Sequence, residues 1–198
     1  HSAFSWGAFV LLCLPPLAVL GLFIAALAKA RPESGSEAAL RPFPWWGWLA
    51  LGMIGAAWAV AWTDGLVPPG WRRHVFTPLW LGYALMMNAL AWRRSGYALL
   101  THGTRFFLAL FPVSAAFWWL FEHLNQFVSN WHYTGISASS DWDYFFQASL
   151  PFSTVLPAVA STQAWLRTFP RIDALALPPV RGHAALAWLA LGAGMLAL

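Results

Sequence analysis

The charged residues of this chain are confined to its joints. No Asp, Glu, Lys or Arg lies between Ser2 and Ala28, from Pro42 to Thr63, from Val75 to Trp92, from Phe106 to Phe121, from Tyr144 to Leu166 or from Ala184 to Leu198. A helix rises about 1.5 Å per residue, so a run of roughly 20 such residues matches the ~30 Å hydrocarbon core of a bilayer. Only 9% of the 198 residues are charged and 60% are hydrophobic, whereas a water-soluble domain carries about 25% charged residues. That imbalance excludes an ordinary soluble domain, a disordered chain and a coiled coil. It predicts an all-α fold: a single polytopic membrane helix bundle over 1–198, with about six transmembrane helices at 4–28, 44–63, 75–92, 106–128, 144–166 and 184–198.

Local signals support these bounds. The first run is too long for a secretory signal peptide and lacks its basic leader and small-residue cleavage site; Pro15-Pro16 predicts a kink within it. Arg31 to Arg41 is a loop of turn formers. The second run opens on Phe43, Trp45, Trp46 and Trp48, as an interfacial aromatic belt does. The short Asp64–Gly70 connection makes helices two and three antiparallel neighbours. Pro112 lies in helix four, and Pro151 and Pro157 predict a broken or bent helix five. The last run stops after 15 residues and the chain opens on His1, from which a longer natural chain is expected, with the sixth helix truncated.

The net charge of +4 raises the question of nucleic acid, which the distribution of the basic residues answers. With the amino end outside, the inner connections hold Lys29, Arg31, Arg41, Arg93, Arg94, Arg105, Arg167, Arg171 and Arg181, and the outer ones only Arg72 and Arg73. This is the positive-inside pattern. The basic residues are topology signals, and no nucleic-acid partner is expected. The single cysteine, Cys13, excludes an internal disulfide and a Cys-rich metal site. No internal repeat suggests an inverted-repeat transporter.

After the topological charges are set aside, Glu122 stands out. It falls roughly 25 Å along helix four from Arg105, in the outer third of the hydrocarbon. Glu122, Asn125, Gln126 and Ser129 follow the i, i+3, i+4, i+7 spacing and share one face, with His123 about 100° away. One reading is a polar pocket, open to the outer side, in which Glu122 binds a cation or moves a proton; the other is a hydrogen-bonded carboxyl that fixes helix packing. His74, Asn130, His132, Asp141 and Asp143 fall on the same outer side and complete the candidate ligand pocket, and Tyr133 follows helix four on that side. His74, His132, Glu122 and the aspartates are chemically suitable metal ligands. No His-x-x-x-His, HExxH or Glu-x-x-His spacing occurs, and no metal site is assigned. Asp141-Trp-Asp143 is a DxD triplet of the kind that can hold a divalent ion on a nucleotide-sugar or phosphate, but the pattern is common by chance and two acidic residues in a short outer loop equally serve its solvation.

Other features have both a functional and a packing reading. His123 between Trp118, Trp119, Phe121 and Phe127 resembles one side of a tetrapyrrole pocket, although 15 tryptophans make such neighbours unavoidable. Gly135-Ile-Ser137, Ser139 and Ser140 lie near His132 in a stretch that reads as a turn rather than a nucleophile and its base. Ser149, Ser153, Pro157 and Ser161 recur every four residues, a small-residue stripe for close helix contact. Asn88, in mid-helix three, is expected to bond across to another helix or to backbone freed by a proline. Trp58, Trp80, Trp118 and Trp119 lie deeper than the belts and either line an apolar pocket or pack between helices.

No catalytic or cofactor motif is present, which favours a non-catalytic accessory or structural subunit of a larger membrane assembly. Its partners would be membrane lipids and other membrane proteins, with lipid, carotenoid, quinone or tetrapyrrole contact open. The second reading is a small membrane-embedded enzyme or carrier that uses the pocket around Glu122 for a lipid-like or amphipathic ligand. The expected location is a bacterial inner, cytoplasmic membrane.

Overall fold

A computed structural model describes residues 5–31, 39–65, 67–133, 138–175, 188, 189 and 192. Most of the expected sixth helix, residues 32–38 of the first loop and Gly135-Ile-Ser137 lie outside the described residues. The described residues are helical, with no strand among them: α1 (Trp6–Lys29), α2 (Trp45–Trp62), a 3-10 turn (Pro69–His74), α3 (Phe76–Ser95), α4 (Leu99–His102), α5 (Thr104–Val128), α6 (Asp141–Ser153), α7 (Val155–Leu166) and α8 (Pro170–Asp173). Among the described residues two stretches, Phe9–Lys29 and Thr104–Val128, are long and apolar enough to cross a membrane as single helices. Contacts divide the chain into two units, His1–Gly35 with Phe169–Leu198, and Ser36–Thr168. The second unit holds Glu122 and the other candidate pocket residues.

Within the second unit, α2 packs on α3, α3 on α7, and α5 on α6 and α7. The backbone N–H of Arg41, just before α2, donates to the Arg93 carbonyl at the end of α3 (2.8 Å), so these helices are antiparallel. Tyr83, Asn88 and Arg94 of α3 meet Thr162, Ser161 and Thr168 at α7, so α3 and α7 run parallel. This order gathers Arg41, Arg93, Arg94, Arg105 and Arg167 at one end of the unit, and the Asp64–Arg72 ion pair (2.6 Å) at the other.

Most of the buried residues between these helices are small or polar, with Phe107, Met87 and Phe152 as the larger apolar ones. The largest fully buried side chains are Asn88, Thr154, Pro157, Ser114 and Ser161, beside Ala50, Ala84, Ala89, Ala91 and Ala158. The small residues let backbones approach closely. A Cβ on Gly82 would stand 2.9 Å from Ile54 and 3.2 Å from the Ala50 carbonyl, so α2 and α3 meet at that glycine. Gly96 ends α3 at φ 74°, a conformation glycine adopts without a Cβ clash, and Arg41 occupies the space that a Cβ would fill.

At the α3–α7 contact each hydroxyl donates back into its own segment and accepts from α3. Thr162 donates to the Ala158 carbonyl and takes the Tyr83 hydroxyl at 2.9 Å. Ser161 donates to the Pro157 carbonyl, a residue that itself has no N–H to give, and accepts from Asn88 at 2.8 Å. Thr168 donates to the Trp165 carbonyl and accepts from Arg94 Nε at 2.9 Å. Asn88, 1% exposed, also donates to the Ala84 carbonyl and accepts the Leu100 N–H of α4, each at 2.9 Å. It thus ties α3, α4 and α7, the cross-helix role its sequence position suggests.

The expected fifth helix is two helices, parted at Thr154 between Pro151 and Pro157. Ser114 of α5, 0% exposed, bridges this break. Its hydroxyl donates to the Phe152 carbonyl and accepts the Leu156 N–H at 3.1 Å. Those are the two groups an unbroken helix would join directly by its i to i−4 bond. Replacing Ser114 by Ala strands both, each a buried polar group whose loss of a partner costs about 1–3 kcal/mol. The Ser114→Ala protein is expected to unfold at a clearly lower temperature than the wild type, with Ser114→Thr retaining part of the difference; an unchanged midpoint for Ser114→Ala would contradict the bridge.

Candidate functional site

Glu122 sits one and a half turns before the end of α5, and the chain after that helix folds back to reach it. Ser129 takes a left-handed conformation (φ 50°, ψ 37°), and its N–H donates to the Asn125 carbonyl at 2.7 Å. This ends the helix and reverses the chain. Asn125 then holds the returning strand of backbone from both sides: its Nδ2 donates to the Trp131 carbonyl (2.7 Å) and its Oδ1 accepts the Trp131 N–H (3.2 Å). The bracket places Trp131 and Tyr133 over Glu122.

From the other side, α6 begins at Ser140, whose hydroxyl accepts the Asp143 N–H at 3.2 Å. Asp143 completes the cap. It accepts the Ser139 N–H (2.8 Å), the Ser139 hydroxyl (3.0 Å) and Gln147 Nε2 (2.7 Å), in the manner of a capping box. Its negative charge also suits the positive end of the helix dipole. Tyr144, the next residue, then points its hydroxyl at Glu122.

Three donors converge there. Glu122 Oε1 accepts the Tyr144 hydroxyl at 3.0 Å, and Oε2 accepts the Tyr133 hydroxyl at 3.1 Å and Trp131 Nε1–H at 3.4 Å. Partial burial, then the charge of Glu122 and its hydrogen bond, raise the Tyr133 hydroxyl above the ordinary tyrosine value, which keeps it a donor. Trp119, one turn before Glu122, donates to Ser149 of α6 at 2.9 Å and stacks on Phe145. Glu122 is thus an anchor by which the loop and α6 are held to α5.

The same residues wall two adjoining cavities. One, about 660 Å³, is open and polar, bounded by Glu122, Trp131, His132, Ser139 and Asp141, with Tyr133 and Tyr144. The other, about 370 Å³, is mainly apolar, bounded by Phe76, Trp118, Ala148, Phe152 and Val155, with Arg73 and His74. Tyr133 and Tyr144 line both. Each therefore presents a polar hydroxyl and an apolar ring to the shared region.

Of the sequence candidates, Glu122, His132 and Asp141 meet at the polar cavity and His74 lines the apolar one. Asn125 positions the loop. Gln126, His123 and Asn130 are exposed, His123 edge-on to Phe127. Asp143 is spent on the helix cap. No group of three or more His, Cys, Asp and Glu suited to a metal occurs among the described residues. Trp131 and Tyr144 were not evident as partners of Glu122, because the α5–α6 pairing that joins them spans a loop. The Ser140-x-x-Asp143 spacing was the legible signal for the cap.

Neither a family model, a curated protein nor a solved structure matches this chain.

The donors on Asp143, the Ser139 N–H first, then Gln147 and the Ser139 hydroxyl, with the Arg73 charge behind them, hold its carboxyl below the ordinary value of 3.8. The stabilisation it gives the first turn of α6 is therefore present above that value and lost as pH falls through the lower folded one. A carbon-detected NMR titration of Asp143 is expected to give a midpoint below 3.8, moving up when Ser139 is replaced by proline, which removes both the N–H and the hydroxyl that donate to it; a midpoint at or above the ordinary value would contradict this cap.

Proposed function

We propose that this chain is a multi-pass integral membrane protein, a non-catalytic accessory subunit whose outer surface contacts lipid and neighbouring membrane helices. One observation carries the reading: within the Ser36–Thr168 unit, the arrangement of side chains is the reverse of a water-soluble protein. Small and polar residues predominate at the contacts between helices, where Phe107, Met87 and Phe152 are the large apolar exceptions, while Trp48, Leu49, Leu51, Trp58, Leu108, Val113 and Leu120 face outward, Trp62 is 79% exposed and Phe127 76%. In water each large apolar side chain left outside forfeits about 1.5–3 kcal/mol of burial, and soluble monomers rarely leave extended apolar surface uncovered. In lipid that cost vanishes, and close packing with interhelical hydrogen bonds becomes the means of association.

The spans in this proposal are α1, α2, α3, α5, the α6–α7 pair from Tyr144 onward and the 184–198 segment. Neither α6 nor α7 is long enough alone, at 13 and 12 residues. Joined through Ser114 they run roughly 38 Å at 1.5 Å per residue. In α2, five tryptophans within 18 uncharged residues lower the apparent hydropathy of a segment that suits a membrane boundary. The end of the unit that gathers Arg41, Arg93, Arg94, Arg105 and Arg167 would be cytoplasmic, and the Glu122 site would face outward. An inner bacterial membrane fits this charge bias. The three donors on Glu122 favour an anchoring carboxylate over an acid or base waiting for substrate, and so favour the subunit over the enzyme.

The test is fractionation with labelling. Expressed in a bacterial host, the protein is expected to stay with membranes through alkaline carbonate extraction. In a Cys13→Ser background, Ala138→Cys is expected to react with an impermeant maleimide in intact cells, and Thr101→Cys only after permeabilisation. Release by carbonate would overturn the membrane reading, and the opposite labelling order would overturn the orientation.

A further inference from the structure

We infer that the paired cavities beside Glu122 form a binding site for one phospholipid whose headgroup ends in an ammonium group. The inference rests on the membrane reading above, which places these cavities at the outer boundary of the bilayer. The polar cavity has two carboxylates in its wall, Glu122 and Asp141, and three aromatic side chains, Trp131, Tyr133 and Tyr144. No Lys or Arg among the described residues lines it. Carboxylates together with tryptophan and tyrosine rings form the surroundings in which an ammonium ion is stabilised, by charge and by the negative faces of the rings. A carboxylate offers about four lone-pair positions, so Glu122 keeps some accepting capacity while it anchors the three donors.

The neighbouring cavity complements the rest of such a molecule. Phe76, Trp118, Ala148, Phe152 and Val155 offer an apolar channel for an acyl chain, and Arg73 stands at its wall as a partner for phosphate. Arg73 Nε donates to the Gly70 carbonyl at 3.0 Å, and a guanidinium carries five N–H donors, so others remain for a phosphate. The carboxylates of one cavity, and Arg73 with the apolar wall of the cavity that adjoins it, thus offer partners for ammonium, phosphate and acyl chain. An anionic lipid such as phosphatidylglycerol would bring its phosphate to Arg73 but leave the two carboxylates without a counter-charge. Tyr133 and Tyr144, shared by both cavities, mark the level at which head passes to tail.

The test uses the purified chain in detergent, titrated with phosphatidylethanolamine, phosphatidylcholine or phosphatidylglycerol of identical acyl chains, with bound lipid counted by native mass spectrometry. One lipid per chain is expected, with the two ammonium-headed lipids held at least about tenfold more tightly than phosphatidylglycerol, a difference of about 1.4 kcal/mol. Asp141→Asn, at an exposed position, is expected to reduce that preference several-fold, and Glu122→Gln to abolish it. Ala148→Phe, which fills the apolar channel, is expected to weaken all three lipids alike. Thermal unfolding identifies any variant that has lost its fold, and Asp141→Asn keeps the test decisive if Glu122→Gln fails to fold. Equal retention of the three lipids, a preference for phosphatidylglycerol, or an unchanged preference in Asp141→Asn would overturn the site. Those results leave the protein in the carbonate-resistant membrane fraction, so failure of the site is distinct from failure of the membrane reading, which shows as release by carbonate.

Discussion

Asn88 spends both of its donors and one acceptor position inside the helix bundle, and the rest of the Ser36–Thr168 unit is organised around bonds of this kind. Its two donors go to Ala84 and Ser161 and its acceptor takes the Leu100 N–H. The hydroxyls of Ser161 and Thr162 pass the connection into the α7 backbone. When the large apolar side chains are outside, helix contacts depend on close backbone approach and on polar groups that leave nothing unpaired. Gly82 against Ala50 and Ile54 supplies the first; Asn88 and its partners supply the second.

The same requirement explains the break at Thr154. Two prolines six residues apart leave α6–α7 without the N–H groups of positions 151 and 157, and a bent helix exposes further backbone groups at the bend. Ser114 restores the connection between Phe152 and Leu156 through its hydroxyl, and Thr154 donates its own hydroxyl to the Pro151 carbonyl. The bend turns the first half of this pair, α6, so that Tyr144 and Ser149 meet Glu122 and Trp119 of α5. The geometry of the candidate site is therefore set by backbone repair two to three turns away.

Uncharged runs located α1, α2, α3 and α5 to within a few residues of their ends, because a charge is costly within an apolar helix and cheap at its margin. The prolines announced a disturbed fifth helix, while the place of the break depended on Ser114, which belongs to another helix. Asn88 was recognisable as a cross-helix residue, since a lone amide in an apolar run needs a partner. The site was legible only in part. Glu122 was conspicuous as a carboxyl in an apolar helix, but its partners Trp131 and Tyr144 come from a returning loop and a facing helix. Asp143 looked like half of a metal-binding triplet, and its hydrogen bonds make it half of a helix cap instead. Pairing between distant segments leaves no local pattern to read, whereas a cap does.

The central claim is that outward-facing apolar side chains of this unit meet lipid. Collision accessibility of nitroxide labels in reconstituted vesicles tests it most directly, with labels at Leu51 of α2 and Leu120 of α5 and a third at Ala138 beside the polar cavity, all exposed positions. The account predicts that oxygen, which partitions into lipid, relaxes the labels at Leu51 and Leu120 strongly while a water-soluble nickel chelate does not, and that the order reverses at Ala138. Strong relaxation by the nickel chelate at Leu51 and Leu120 would place those faces in water and contradict it.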